Sequence, residues 1–392
     1  MTRFIGTALG RMREVDTRIS RRSGGRRILV DARTPVNFTM VSPVVRAMEQ
    51  DPRVQFYFTA SEAPERLADI YWEAPDVRTI DPRRAALMKF DAYVASDFMW
   101  ASLPRGTHRV QVFHGVGGKY GFDVPDASMR DWHRFFFVNQ RRLRNFIQAG
   151  AIEPDSPAIR MIGMPKVDCL VDGTFDRDAV LLSLGLDPVR PTVLYAPTWS
   201  PASSLNAMGV ELVNGLRRMP INLIVKLHDN SRDLRTFYSG GVDWVARLEP
   251  LMTPGQSLIA PAHDISRYLV AADLMITDHS SAGFEFLLRD RPIVRIHRPA
   301  LIELANIHPD YVNLLAAVSD SIEVADDALA AVARGLDNPG ARSPERRAAA
   351  ADLFHDPGGA TGRSITALYE LIELDPAPVA RIRQGAECQP SA

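Results

Sequence analysis

Two cysteines among 392 residues, Cys169 and Cys388, leave no material for a disulfide framework and favour a reducing, cytoplasmic setting. No stretch reaches the ~20 uninterrupted apolar residues that a membrane-crossing helix needs, and the first residues lack the apolar core of an export signal. Charge of one sign is missing too: 46 basic residues meet 47 acidic ones, so nothing predicts a general attraction to nucleic acid. There is no Cys/His cluster at zinc spacing, no Gly-x-x-x-x-Gly-Lys-Ser/Thr loop and no Gly-x-Ser-x-Gly elbow. Metal-hydrolase, P-loop and serine-esterase chemistry therefore lack their signatures, and neither a metal nor a resident cofactor is expected.

What is present is an α/β alternation long enough for two cores. Strands are predicted over 27–32, 55–59, 92–95, 110–113, 135–138 and 159–162, with helices over 37–48, 63–70 and 140–148. After a helix over 178–184 and a Gly/Pro-bearing turn, a second series follows at 192–195, 222–226, 258–259, 274–277 and 293–296, with helices over 325–336 and 364–374. Alternation of this kind makes parallel sheets covered by helices, here two doubly wound domains facing a central cleft. The expected division is 1–26, 27–175, 176–374 and a non-periodic tail, 375–392. The first 27 residues hold eight arginines, and Phe4, Ile5, Ala8, Leu9, Met12, Val15 and Ile19 recur at helical steps. Such a basic amphipathic helix suits an anionic membrane surface, and equally a docking face on a protein or a loose arm.

The chemistry-bearing residues sit where strands end. Ile276-Thr277-Asp278-His279-Ser280-Ser281 runs from an apolar strand into a helix start, where backbone N–H groups and hydroxyls favour a diphosphate. Glu285, one turn on, is placed to meet ribose hydroxyls. The plainer reading is a helix capped by its own Asp278 and serines. His114, followed by glycines and by Lys119, is placed as a general base with a nearby cation. Lys226 and His228 end another strand and are expected to share a face and neutralise phosphate, while Thr198 in Tyr195-Ala196-Pro197-Thr198-Trp199 is a further phosphate contact. Asp176-Arg177-Asp178 has the look of a metal-binding Asp-x-Asp element, but it precedes a helix, where acids are favoured anyway.

Taken in order, these segments resemble the CDP-glycerol glycerophosphotransferase family. His114-Gly115 with Lys119 and Gly121-Phe122-Asp123 is similar to its His-Gly-Thr-x-x-Lys-x-x-Gly-x-Asp block, and Gly163-Met164-Pro165-Lys166-Val167-Asp168 to its Gly-x-Pro-Arg-Asn-Asp element. Tyr195 to Trp199, Lys226-Leu227-His228, and Thr277 to Ser281 with Glu285 resemble its Tyr-Ala-Pro-Thr-Trp, Arg-Leu-His and Thr-Asp-Tyr-Ser-Ser blocks. Departures are Val116-Gly117 for Thr-Pro, Ser200 for arginine, Asp229 for proline and His279 for tyrosine. The resemblance implies a glycosyltransferase-B-type pair of Rossmann-like domains, with acceptor and base His114 on the first and a CDP-alcohol such as CDP-glycerol on the second. It further implies a lipid-linked glycan or polyol-phosphate acceptor, CMP as product, and work at the inner membrane face. Alternatives are a UDP-sugar transferase or 2-epimerase on the same architecture, and a non-catalytic scaffold at the membrane.

Overall fold

The structure, a computed structural model, describes residues 24–71, 78–96, 106–120 and 131–376, with Val15, Met99, Leu103 and Met129 besides. The basic segment before residue 24, Val15 aside, lies outside the described residues, as do Gly121-Phe122-Asp123 and the tail from 377. Two units divide the chain.

In the first unit, β1 (Arg26–Asp31), β2 (Val54–Thr59), β3 (Ala92–Ser96), β4 (His108–Val112), β5 (Arg134–Phe137) and β6 (Ile159–Met161) form one parallel sheet in the order β2-β1-β3-β4-β5-β6. The central strand β3 is buried throughout and β1, β4 and β5 are buried after their first one or two residues, whereas β2 exposes Gln55 and the edge strand β6 is only half-buried. The helix expected over 37–48 is two pieces, Pro35–Thr39 and Ser42–Met48. Pro43 has no N–H for the Thr39 carbonyl, and the Ser42 hydroxyl donates to that carbonyl instead (3.4 Å).

The unit is closed by the far end of the chain. Asp168 accepts hydrogen bonds from the backbone N–H groups of Gly358, Ala360 and Thr361 (2.8, 3.2 and 2.7 Å), capping the helix Ala360–Leu371 from nearly two hundred residues away. Gly163, at φ +88°, lets the His355 carbonyl come so near that a Cβ would lie 2.5 Å from it. Arg26 Nε donates to the Ile372 carbonyl (2.7 Å), and Asp51 takes both Arg53 and the Tyr369 hydroxyl (3.0 Å). The unit boundary accordingly falls after Asp168 rather than at 175, and residues 355–376 belong to the first unit. The Gly-Met-Pro-Lys-Val-Asp element is the clasp that makes it so.

The second unit carries β7 (Thr192–Tyr195), β8 (Asn222–Val225), β9 (Ser257–Ile259), β10 (Leu274–Thr277), β11 (Ile293–Ile296) and β12 (Asp320–Ile322), parallel in the order β12-β11-β10-β7-β8-β9. This is the strand order of the dinucleotide-binding fold, which reverses direction beside its first strand, here between β7 and β10. The core on one face gathers Val193, Leu223, Leu274, Ile276, Val294 and Ile296 under the helices Ser204–Leu216 and Ala325–Asp337. Gly215 lets the first helix close on Leu329 of the second, where a Cβ would sit 3.2 Å from its side chain. Residues 116–120 also belong to this unit rather than to the first.

Candidate active site

In open α/β sheets ligands bind outside the carboxyl ends of the strands, where the order reverses. The loops that leave β7, β8 and β10 at that end of the second unit carry Thr198, Lys226, His228, Asp278, Ser280 and Ser281.

Asp278 holds them in register. Its buried carboxylate accepts the Thr198 N–H on Oδ1 (2.8 Å), and the Ser204 N–H and hydroxyl on Oδ2 (3.1 and 2.9 Å). Burial raises this carboxyl above its usual range despite the three donors. Thr277 Oγ1 adds a bond to the Ala196 carbonyl (2.7 Å), so the β7 and β10 loops are stitched together twice. Asp278, expected to contact the donor, has its hydrogen bonds directed inward and acts as a positioning residue. Thr198 offers its own N–H to Asp278 and is itself buried.

Ser280 and Ser281 begin the helix Ala282–Phe286, which tightens into a 3₁₀ turn at Leu287–Arg289. Ser280 Oγ accepts the Ala282 N–H (3.4 Å) and is nearly buried, whereas Ser281 is exposed. Glu285 is buried one turn later. Its charge helps to raise the phenol of Tyr311, after burial and Tyr120, and the Tyr311 hydroxyl has no hydrogen-bond partner among the described residues. Lys119 joins this group: its carbonyl accepts the His308 N–H (2.8 Å) and its ammonium lies 5.9 Å from the Tyr311 ring. Burial lowers the Lys119 pKa, and the charge of Asp278 opposes that shift.

Strand pairing of β8 ends at Val225, so the alternation expected to align Lys226 with His228 stops before them. Lys226 is buried and its ammonium donates to the Leu227 carbonyl (2.8 Å). His228 caps the turn Asp229–Arg232, its Nδ1 accepting the Asn230 N–H (3.1 Å). A nitrogen that accepts a backbone N–H carries no proton, so neutral His228 bears its hydrogen on Nε2 and presents a donor. Trp199 stands over it, 6.3 Å away between ring centroids, against Phe237 and Tyr238. Asp229 is bonded to His263 Nδ1. Burial pushes its carboxyl up, but His263 and the charge of Lys226 outweigh this and hold it below the ordinary range. Sequence reasoning missed His263 and Tyr311, since neither lies at a recognisable spacing from the motifs.

His114 stands apart in the first unit, exposed, two residues beyond β4. Phe113 anchors the turn under the Arg142 guanidinium, 3.9 Å above its ring, and Arg142 also donates to the Gly115 carbonyl (3.4 Å). Gly117 and Gly118 take φ of +86° and +84°, a conformation that suits glycine and that the proline Gly117 replaces in the resembled motif cannot adopt. Asp176 caps the helix Arg177–Ser183 and Asp178 pairs with Arg177, as expected of acids at a helix start.

Comparison with known proteins gives a family and a fold. The profile of the family described as CDP-Glycerol:Poly(glycerophosphate) glycerophosphotransferase matches residues 35–372. A teichoic acid poly(glycerol phosphate) polymerase of Staphylococcus epidermidis is 23% identical over 171 residues, 40% of this chain and 22% of that protein. One of Bacillus spizizenii is 23% identical over 226 residues, 50% of this chain and 53% of that protein. The chain thus spans about half, or less, of the curated relatives it matches. Among solved structures, the wall teichoic acid polymerase TagF superposes with a TM-score of 0.66 at 14% identity, covering 95% of this chain and 96% of that one. A TagF variant with CDPG gives 0.64 at 15%, covering 89% of each. An S. aureus MnaA-UDP co-structure gives 0.54 at 12%, covering 89% and 98%. These structural likenesses show a shared fold.

Proposed function

This chain belongs to the CDP-glycerol:poly(glycerophosphate) glycerophosphotransferase family, and from that premise we propose that it transfers a glycerol-phosphate or related polyol-phosphate unit from a CDP-alcohol to a lipid-linked acceptor. An acceptor hydroxyl loses its proton to His114 and attacks the β-phosphorus. The new P–O bond forms as the bond to the bridging oxygen breaks, and CMP departs with that oxygen. What supports the reading is that the second unit carries Lys226, His228, Ser280 and Ser281 on the loops that leave β8 and β10 at the carboxyl ends of its strands, with Lys119 in the same unit. Donors fixed before reaction stabilise charge at the phosphates without reorganising. His228, held as a donor at Nε2, suits a phosphate oxygen, and Glu285 suits the ribose.

The basic segment 1–27 is proposed to hold the enzyme on an anionic membrane face near its acceptor. Among the described residues no helix is long and apolar enough to cross a membrane. The test is nucleotide release: CMP from CDP-glycerol supports the proposal, whereas UDP or UMP from a sugar nucleotide alone moves the function to sugar chemistry, as the likeness to the MnaA-UDP co-structure allows.

A further inference from the structure

On β11, opposite Thr277 of β10, Arg295 is only 5% exposed and forms no ion pair with any described residue. Its Nη1 meets His297 Nδ1 at 3.1 Å, its Nη2 donates to Ser321 Oγ at 2.6 Å, and its Nε has no acceptor among the described residues. A guanidinium keeps its charge, and a buried one with no counter-charge is costly. His279, just beyond neighbouring β10, is fully buried, and neither ring nitrogen has a hydrogen-bond partner among the described residues. Its ring centroid lies 6.0 Å from that of His297. Because the arginine can only donate, His297 Nδ1 is the acceptor and the proton of the neutral ring sits on Nε2. Arg295 Nε–H, His297 Nε2–H and one N–H of His279 are thus three donors in a patch to which no described carboxylate is bonded. His297 is half-buried and Ser321 exposed, so the group reaches the surface.

We infer that Arg295, His297 and His279 form a subsite for a phosphate-type oxyanion at the carboxyl ends of β10 and β11. A tetrahedral dianion supplies the acceptors these nitrogens lack and the counter-charge that Arg295 lacks. The proposed reaction offers two sources, the donor diphosphate or a phosphodiester of the acceptor. Only the assignment of the source rests on that reaction.

The deciding experiment follows thermal unfolding of the full chain with inorganic pyrophosphate. Pyrophosphate raises the Tm of the unaltered protein. In His297→Phe, which keeps a ring and removes the donor, apparent affinity falls roughly ten- to a hundredfold, as for loss of a charge-assisted hydrogen bond. Ser321→Ala, an exposed change that releases Arg295 Nη2, weakens it roughly threefold to tenfold and serves if the first variant does not fold. Equal protection of the variants and the unaltered protein, or no protection of the latter, overturns the subsite. Two titrations then assign the source. A weaker Kd for CDP-glycerol in His297→Phe points to the donor, and an unchanged Kd with a raised KM for a glycerol-phosphate oligomer points to the acceptor. Failure of the proposed reaction appears as no CMP release by the unaltered protein and leaves the pyrophosphate result readable.

Discussion

His228 and Asp278 show how much of a site depends on the bonds made on its hidden side. The sequence places both at strand ends, and their positions are legible for that reason. Their partners are not: Asp278 binds residues 74 and 80 positions earlier, and no local spacing announces a bond of that span. Asp278→Asn sets an amide N–H₂ among donors that need an acceptor, and is expected to cost roughly 2–3 kcal/mol in chemical denaturation while loosening Thr198. For His228, the Asn230 N–H on Nδ1 fixes the tautomer. Glutamine at 228 keeps a donor and alanine does not, so His228→Gln should retain about tenfold more kcat/KM than His228→Ala. Equal losses would mean the ring serves packing against Trp199.

At the scale of elements, five strands of the second sheet are read from sequence to within a residue or so, because a strand buried on both faces is an uninterrupted apolar run, whereas the edge strand β12, with polar Asp320 and Ser321, is not read at all. Helices fare less well. The stretch Ser204–Leu216 is left without an element by the sequence, since Gly209 and Gly215 lower its helical propensity, yet the glycines are what allow close packing. The last helix is expected to begin at 364 and begins at Ala360, because its cap comes from Asp168 and not from a neighbouring residue. Asp168→Ala should therefore cost about 1–2 kcal/mol, seen as a lowered Tm, with hydrogen-exchange protection lost first over residues 360–371. Protection lost evenly over the chain would contradict a local clasp.

For the whole molecule, acid stability carries the mark of His279. Burial, then the charges of Arg295, His297 and Lys119, bring its pKa to about 3. The unfolded ring takes a proton near the ordinary value of about 6.5 and the folded one does not. Between those limits the unfolded state binds more protons, so stability falls as pH drops, by up to about 1.4 kcal/mol per pH unit. His279→Tyr, which restores the residue of the resembled motif, should flatten that limb relative to the unaltered protein in denaturation midpoints from pH 6 to 4. An unchanged slope would show that the folded ring titrates normally. The fold class and the family were legible because five motifs recur in order. The division into units was not, because it depends on the return of residues 355–376 to the first unit. If the basic segment before residue 24 provides the membrane contact, deleting residues 1–23 should abolish co-sedimentation with anionic vesicles and leave CDP-glycerol binding intact.

Nucleotide release from CDP-glycerol, with a bacterial membrane extract as acceptor, tests the central claim most directly when His114→Ala is run beside the unaltered chain. The expected result is CMP from the unaltered protein and a loss of turnover in the variant with its Kd for CDP-glycerol nearly unchanged. CMP release that survives the substitution, or release of UDP or UMP from a sugar nucleotide in its place, would contradict it.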